Sequence, residues 1–142
     1  MIQIILKGKM IQITIDKKTP SVNHLYGHNK FGHFYLKKEG RVLRDYIIRK
    51  VRKYVQENSN KVNELKDSKL ALVVQICENW FTKKNTVKKK DVANREKFLI
   101  DSIFRGLGLD DSFVFEHTMF KIQSEVEMSV VSIVRLDSSL FN

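Results

Sequence analysis

One uninterrupted apolar stretch, residues 69–79, limits the possible folds more than any other feature of the chain. It reads Lys-Leu-Ala-Leu-Val-Val-Gln-Ile-Cys-Glu-Asn and is rich in β-branched residues. A half-exposed strand alternates apolar and polar residues, whereas a continuous apolar run is typical of a strand that is covered on both faces. The stretch therefore predicts a central strand, and the rest of the chain must supply the sheet and helices around it.

Other segments predict the remaining strands. Residues 10–16 alternate apolar and polar side chains, as a half-buried strand does. Residues 33–36 are a candidate short strand, and residues 113–122 and 127–136 are expected to form a terminal β-hairpin. Residues 1–9 nearly repeat the start of the first strand, which is consistent with an extra N-terminal strand or with an upstream start.

Two segments show helical spacing, residues 40–57 and 94–107. In the second, four apolar residues are expected to face the core: Phe98, Ile103, Phe104 and Leu107. Gly106 and Gly108 are expected to end this helix. Because strands and helices are intermixed, the fold class is predicted to be α/β or α+β, as one domain over residues 1–142 with a mixed β-sheet and two main helices.

Charge and cysteine content narrow the function classes. The chain has 26 Lys and Arg against 16 Asp and Glu, a net charge of +10, which favours a polyanionic partner, nucleic acid before an acidic membrane surface. Cys77 is the only cysteine, so a disulfide framework is excluded and a reducing cytoplasm is expected. No segment has 18 consecutive apolar residues, so we expect no membrane span.

Candidate catalytic carboxylates stand on either side of the second helix. Asp91 directly follows three lysines of a basic loop at 82–90, and Asp110 and Asp111 follow the helix. The helix ends are roughly 20 Å apart, so Asp91 and Asp111 can meet only if the flanking chain bends or a dimer joins them. Alternatively, Asp91 caps the helix and the other two form a turn. Lysines beside a carboxylate are also what a metal-dependent phosphodiesterase requires.

Four stretches occur in the order and approximate spacing of a known family. They are Pro20-Ser21-Val22-Asn23 with Tyr26, the segment 32–40 followed by Arg44, Lys90-Asp91-Val92-Ala93-Asn94-Arg95-Glu96-Lys97 with Asp101, and Asp110-Asp111-Ser112 with Val114. Together they resemble the RusA-type Holliday junction resolvases over residues 10 to about 125. The resemblance implies a homodimeric endonuclease that resolves branched DNA in recombination and repair by paired hydrolysis of phosphodiester bonds.

The resemblance also implies residue roles. Asp91 and Asp111 would be catalytic metal ligands, with Asp110 assigned to the same site and Asp101 to a supporting position. Lys97 would contact the scissile phosphate. The expected cofactor is Mg²⁺, for which Mn²⁺ can substitute. The residues expected to contact DNA are Lys88, Lys89, Lys90, Asn94, Arg95, Arg44, Tyr26 and Asn23.

The aromatic residues of the loop after Pro20 fit two interpretations. Tyr26, Phe31, Phe34 and Tyr35 alternate with His and Lys. Aromatic rings among cations can stack on unpaired bases, but the same rings can equally belong to the core. Trp80 and Phe81, beside the lysine loop, carry the same ambiguity.

One departure from the family pattern leaves catalysis open. The second acid of the family motif is Ala93 in this chain, and alanine cannot bind a metal. Mg²⁺ keeps several waters and needs few protein ligands, so activity can survive, with Asp110, Glu116 or Asp101 as replacement ligands. The alternatives are a protein that binds junctions without cutting them, and a basic interaction domain unrelated to the family.

Overall fold

The sheet is built around β4 (Leu70–Glu78), in which every side chain but that of Gln75 is buried. The computed structural model describes residues 10–20, 22–89 and 93–136. The other three strands of the main sheet are β1 (Met10–Ile15), β5 (Val114–Gln123) and β6 (Met128–Arg135). The strand order is β1-β6-β4-β5. The predicted central strand and the predicted first strand are thus confirmed.

The prediction of a terminal hairpin is wrong. β5 and β6 exist where the alternation placed them, but β4 lies between them, parallel to β5 and antiparallel to β6. The connection crosses the end of β4, where the Ser124 amide donates to the Glu78 carbonyl over 3.0 Å. Two strand spacings are roughly 10 Å, which four residues span easily. This arrangement places the largely buried β6 between two strands.

The two predicted long helices are present, and they pack against each other. They are α2 (Lys38–Glu57) and α4 (Ala93–Leu107). Phe98, Ile103, Phe104 and Leu107 of α4 are all buried in the core, as expected. The described residues therefore form one α+β domain with a mixed sheet.

Gly106 does not end α4, contrary to the sequence-based expectation. It lies inside the helix, where a Cβ atom would come within 2.7 Å of the Val51 Cβ on α2. Its role is to let the two helices approach closely. Gly108 does end the helix, with φ of +68°. The Gly108 amide donates to Arg105 and the Leu109 amide to Phe104, which is the Schellman pattern of a glycine-terminated helix.

The chain between β1 and α2 forms a second, two-stranded sheet. Its strands are β2 (Tyr26–His28) and β3 (Phe34–Leu36), which pair antiparallel. The predicted short strand is thus confirmed. A one-turn helix, α1 (Val22–Leu25), precedes β2. A further short helix, α3 (Ser59–Asn63), follows α2.

The remaining sequence-based expectations have simple outcomes. Cys77 is buried and unpaired, as predicted. The possible extra strand at residues 1–9 lies outside the described residues. Within the three described ranges, no helix combines the length and apolarity needed to cross a membrane.

Candidate active site

Helix α4 presents a stripe of charges on its outer face. Lys97, Asp101 and Arg105 follow one another at intervals of four residues and are exposed. Side chains at this spacing lie one above the other on a helix. The opposite face is apolar and buried, so the register of the core side chains fixes the stripe towards solvent.

The turn after α4 brings further carboxylates back to this stripe. Gly108 reverses the chain, and a short 3₁₀ helix follows at Asp111–Phe113. An open depression of about 530 Å³ lies between the helix and the turn. It is lined by Asp101, Phe104, Arg105, Gly108, Leu109, Asp110 and Asp111. The flanking chain on this side of the helix therefore bends back towards the helix, as a shared site requires.

The carboxyl of Asp101 responds to its position in this depression. Burial raises the pKa of Asp101, and the negative charge of Asp111 raises it further. Lys97 and Arg105 act in the opposite direction because their positive charges favour the carboxylate. The depression thus brings two carboxylates together, and carboxylate oxygens are the ligands that a hard divalent cation prefers.

Asp110 has a structural task in this turn. It caps the 3₁₀ helix, and its side chain accepts a hydrogen bond of 2.9 Å from the Ser112 amide. Hydrogen bonding to Ser112 lowers the pKa of the Asp110 carboxyl. One of its oxygens is therefore committed to the turn. The assignment of Asp110 to the metal site stays a prediction.

Several predicted site residues cannot be placed. Lys90 and Asp91 lie outside the described residues, and so do the side chains of Asn23, Ala93 and Asn94. The meeting of Asp91 with Asp111 therefore stays a prediction. Among the residues that are described, no group of three or more His, Cys, Asp or Glu side chains is suited to hold a metal ion. These residues supply a pair of carboxylates, to which a further ligand must be added.

Arg95 was predicted to contact DNA, and the structure contradicts this. Its side chain is only 4% exposed. It forms an ion pair with Glu78 at the end of β4, and its guanidinium lies 5.2 Å from the centre of the Trp80 ring. Burial lowers the pKa of the Arg95 guanidinium. A guanidinium enclosed in this way cannot reach a phosphate, so Arg95 holds the start of α4 to the sheet. Trp80, also buried, belongs to the core.

Tyr26 and Arg44 lie between core and surface. Tyr26 is half-buried and packs edge-on against Phe98, with 6.5 Å between ring centres. It therefore helps to pack α4, and the predicted DNA contact of Tyr26 stays a prediction. Arg44 is half-buried, and its Nε has no hydrogen-bond partner among the described residues. The predicted DNA contact of Arg44 stays a prediction.

The basic loop before α4 is an ordered small hairpin as far as residue 89. Phe81 and Val87 form a β-bridge, and the Lys88 amide donates to the Trp80 carbonyl over 2.7 Å. Lys89 is exposed and Lys88 is half-buried. Positive charge is thus held in a defined place on the chain that leads towards the start of α4.

Sequence reasoning missed Arg105 and undervalued Asp101. Both could have been found, because they continue the four-residue spacing that starts at Lys97. It also missed the contact of 3.1 Å between the Glu96 carboxylate on α4 and Nδ1 of His117 on β5. No sequence signal links these two residues, since β5 comes beside α4 only in the folded chain.

The family model described as endodeoxyribonuclease RusA matches residues 17–133 of the 142 in the chain. The match includes the charged stripe on α4, the glycine-terminated turn and Asp111. A comparison with curated proteins found no significant match.

Proposed function

The chain belongs to the RusA endodeoxyribonuclease family, and from this premise we propose that it is a divalent-metal-dependent endonuclease that resolves four-way DNA junctions. Family membership contradicts the hypothesis of a basic interaction domain unrelated to these nucleases. It supports nuclease chemistry and branched DNA as the substrate class. The observation that carries the proposal for this chain is that Asp101 and Asp111 line one open depression together with Arg105, with the exposed Lys97 one helical turn before Asp101.

The carboxylates fit a hard divalent cation. Mg²⁺ prefers oxygen ligands and is bound by one or two carboxylates together with waters and substrate phosphates. Asp111, with Asp101 beside it and Asp91 completing the set, would hold the ion. The raised pKa of Asp101 reflects burial and the charge of Asp111, and a bound cation relieves the second of these. When bound, Mg²⁺ or Mn²⁺ supplies Lewis-acid activation of the attacking water and the phosphate.

Lys97 has the position and the charge to act on the scissile phosphate. Its side chain is exposed, on the same face of α4 as Asp101 and one turn before it. A phosphodiester gains negative charge as the nucleophile attacks, and a fixed ammonium group stabilises that charge more in the transition state than in the ground state. Arg105, one turn beyond Asp101, supplies a second cation at the edge of the depression.

Positive charge outside the depression would hold the rest of the DNA. Contacts to the phosphate backbone are proposed for Lys88, Lys89, Lys90 and Arg44, with Asn23 and Asn94 closer to the site. The net charge of +10 predicts an affinity that falls steeply with salt. A four-way junction is nearly two-fold symmetric, so a symmetric homodimer would bring two equivalent sites to it.

The test is cleavage of a synthetic four-way DNA junction by the full chain, with Mg²⁺, with Mn²⁺ and with chelator. We expect paired symmetric nicks that require the metal. Asp111→Asn should lower the cleavage rate by at least about 100-fold, as losing a charge-stabilising group does. Asp45→Asn, an acid-to-amide change on the exposed surface of α2, is the matched control and should cut normally. Equal cleavage by Asp111→Asn and the control would refute the proposal.

Ala93 supports a second candidate function, a junction-binding protein with impaired cleavage. The family motif has an acid at this position, so the chain lacks one potential ligand. Ala93→Asp separates the two candidates. A large gain in cleavage over a nearly inactive unchanged chain would favour the impaired protein. Robust cleavage by the unchanged chain, with little gain, would favour an active site that Asp101 and Asp111 complete.

A further inference from the structure

The hairpin formed by β2 and β3 has an ordered tip. The Asn29 and His33 backbones are joined by a hydrogen bond of 2.9 Å, and the Gly32 amide donates to the Asn29 carbonyl. The Asn29 side chain accepts two more bonds, from the amides of Phe31 at 2.9 Å and His33 at 3.0 Å. Gly32 has φ of +78°, which a turn of this kind requires. These bonds give the tip a defined shape.

The base of the hairpin is anchored to the protein body. Tyr26 packs on Phe98 of α4, and Leu36 packs against the core. The Lys37 amide donates to the Leu25 carbonyl over 2.7 Å. Because the base is fixed and the tip is organised, side chains at the tip are presented to solvent from a rigid support.

Two phenylalanines stand at this tip with most of their surface in water. Phe31 is 72% exposed and Phe34 is 71% exposed. The Phe34 ring lies 4.2 Å from the His28 ring, and Phe31 lies in the turn that joins the strands of these two residues. Single exposed apolar residues are common on protein surfaces, but a group of exposed aromatic rings marks an interaction site.

The charge around the tip identifies the kind of partner. No acid occurs between Asp16 and Glu39, whereas five lysines do. The ammonium group of Lys30 lies 5.1 Å from the centre of the Phe31 ring. A partner that suits this surface must offer flat apolar faces together with negative charge. Unpaired nucleic-acid bases with their phosphates have both properties.

We propose that Phe31 and Phe34 stack on bases that are unpaired or unstacked at the branch point of the DNA, while Lys30 binds an adjacent phosphate. The proposal rests on the proposed function and adds to it the means by which branched DNA is distinguished from linear DNA. In a linear duplex each base is stacked on its neighbours, so an aromatic side chain can stack on a base only after that base is unstacked, which costs free energy. At a branch point that cost is smaller.

The test compares a four-way junction with a linear duplex of the same sequence, both carrying 2-aminopurine where the branch point falls. Binding by the full chain is measured in chelator so that no DNA is cut. For the double variant Phe31→Ala, Phe34→Ala, we expect junction affinity to fall by about 10-fold or more. Duplex affinity should fall by less than about threefold because backbone contacts remain. The change in 2-aminopurine fluorescence at saturation should be lost.

Two further variants control the comparison. Phe115→Ala removes a phenylalanine of β5 that is 60% exposed and also has a lysine over its ring, that of Lys69 at 5.2 Å. It matches the tip residues chemically and should leave junction binding unchanged. Phe31→Trp, Phe34→Trp keeps two large rings at the tip and should retain both affinity and the fluorescence change, which a merely structural role would not predict.

The outcomes separate failure of the inference from failure of the proposed function. If the unchanged chain prefers the junction and the double alanine variant does so equally well, the stacking role is refuted and the nuclease proposal stands. Equal losses on junction and duplex would also refute it, because the tip would then be a general DNA contact. If the unchanged chain shows no preference for the junction, the proposed function fails and the inference fails with it.

Discussion

Helix α4 carries charged side chains in two places, one buried and the other exposed to solvent. Near its start, Arg95 is buried and paired with Glu78 beneath Trp80. Beginning two residues later, the stripe from Lys97 through Asp101 to Arg105 is open to solvent. The two groups of charges are only two residues apart where they begin. What separates them is the side of the helix that each one occupies.

The side of the helix on which a charged residue lies decides whether it is available for function. Arg95 stands three and four residues before Phe98 and Leu99, both buried, so it shares the face that packs on the sheet. A buried ion pair stabilises a fold little compared with apolar packing, but losing one partner is costly. The stripe faces away from the core, so its charges remain free to act on a partner in solution.

Breaking the buried pair should have the largest effect on stability. Arg95→Ala leaves the Glu78 carboxylate buried without its guanidinium, and we expect the free energy of unfolding to fall by about 3–5 kcal/mol. Urea denaturation followed by circular dichroism measures this. Arg105→Ala, on the same helix but exposed, is the control and should change stability by no more than about 0.5 kcal/mol. Similar losses in both variants would erase the distinction between the two groups.

Removing the stripe's first charge should affect chemistry and not stability. For Lys97→Ala we expect the single-turnover rate of junction cleavage to fall by about 100- to 1,000-fold, because the growing charge on the phosphate loses its ammonium partner. The free energy of unfolding should stay within about 0.5 kcal/mol of the unchanged chain. Lys61→Ala on α3 is the matched control for the loss of one exposed lysine. Normal cleavage by Lys97→Ala would remove Lys97 from the proposed mechanism.

The smallest effect is expected at Asp101 and depends on pH. Its pKa is raised above 3.8 in the folded protein by burial and by Asp111, so the folded state binds this proton more tightly than the unfolded state does. The unchanged chain therefore gains stability from this group as the pH falls through the folded pKa, and loses it as the pH rises. Asp101→Asn should be more stable at pH 7 by less than about 1 kcal/mol, since the group is exposed.

Urea titrations at pH 4 and pH 7, both in chelator, measure this difference. The advantage of Asp101→Asn should shrink at pH 4, where the carboxyl of the unchanged chain is more protonated. Asp45→Asn on α2 again serves as the control. If Asp101→Asn is less stable than the unchanged chain at pH 7, the Asp101 carboxylate makes a stabilising contact. That result would contradict the expectation that burial and the charge of Asp111 disfavour its ionised form.

The sequence predicted elements better than it predicted how they pair. Alternation located β5 and β6, but alternation reports only which face of a strand is buried and not which strand lies beside it. The hairpin was therefore expected from the short connection alone. Gly106 shows the same limit, because a glycine that ends a helix and one that lets another helix approach look identical in sequence.

The candidate site was predictable in part. The motif that resembles the family identified Asp111 and Lys97, and the four-residue spacing on α4 contained Asp101 and Arg105. Tyr26 and Arg95 were assigned to DNA because both lie in family-like segments rich in polar residues. Their burial depends on Phe98, Glu78 and Trp80, which are brought to them by packing between distant parts of the chain.

By itself the sequence determined the central strand, the two long helices, the basic character of the surface and the family to which the chain was expected to belong. These follow from local periodicity, composition and motifs, which depend on neighbouring residues. Only the tertiary structure decided that β4 separates β5 from β6, that Arg95 is enclosed, and that Asp111 returns to Asp101. Each of these depends on contacts between residues far apart in the chain. The free energy of burying a side chain or a charge depends on the residues that pack against it, and neighbouring residues in the sequence do not reveal them.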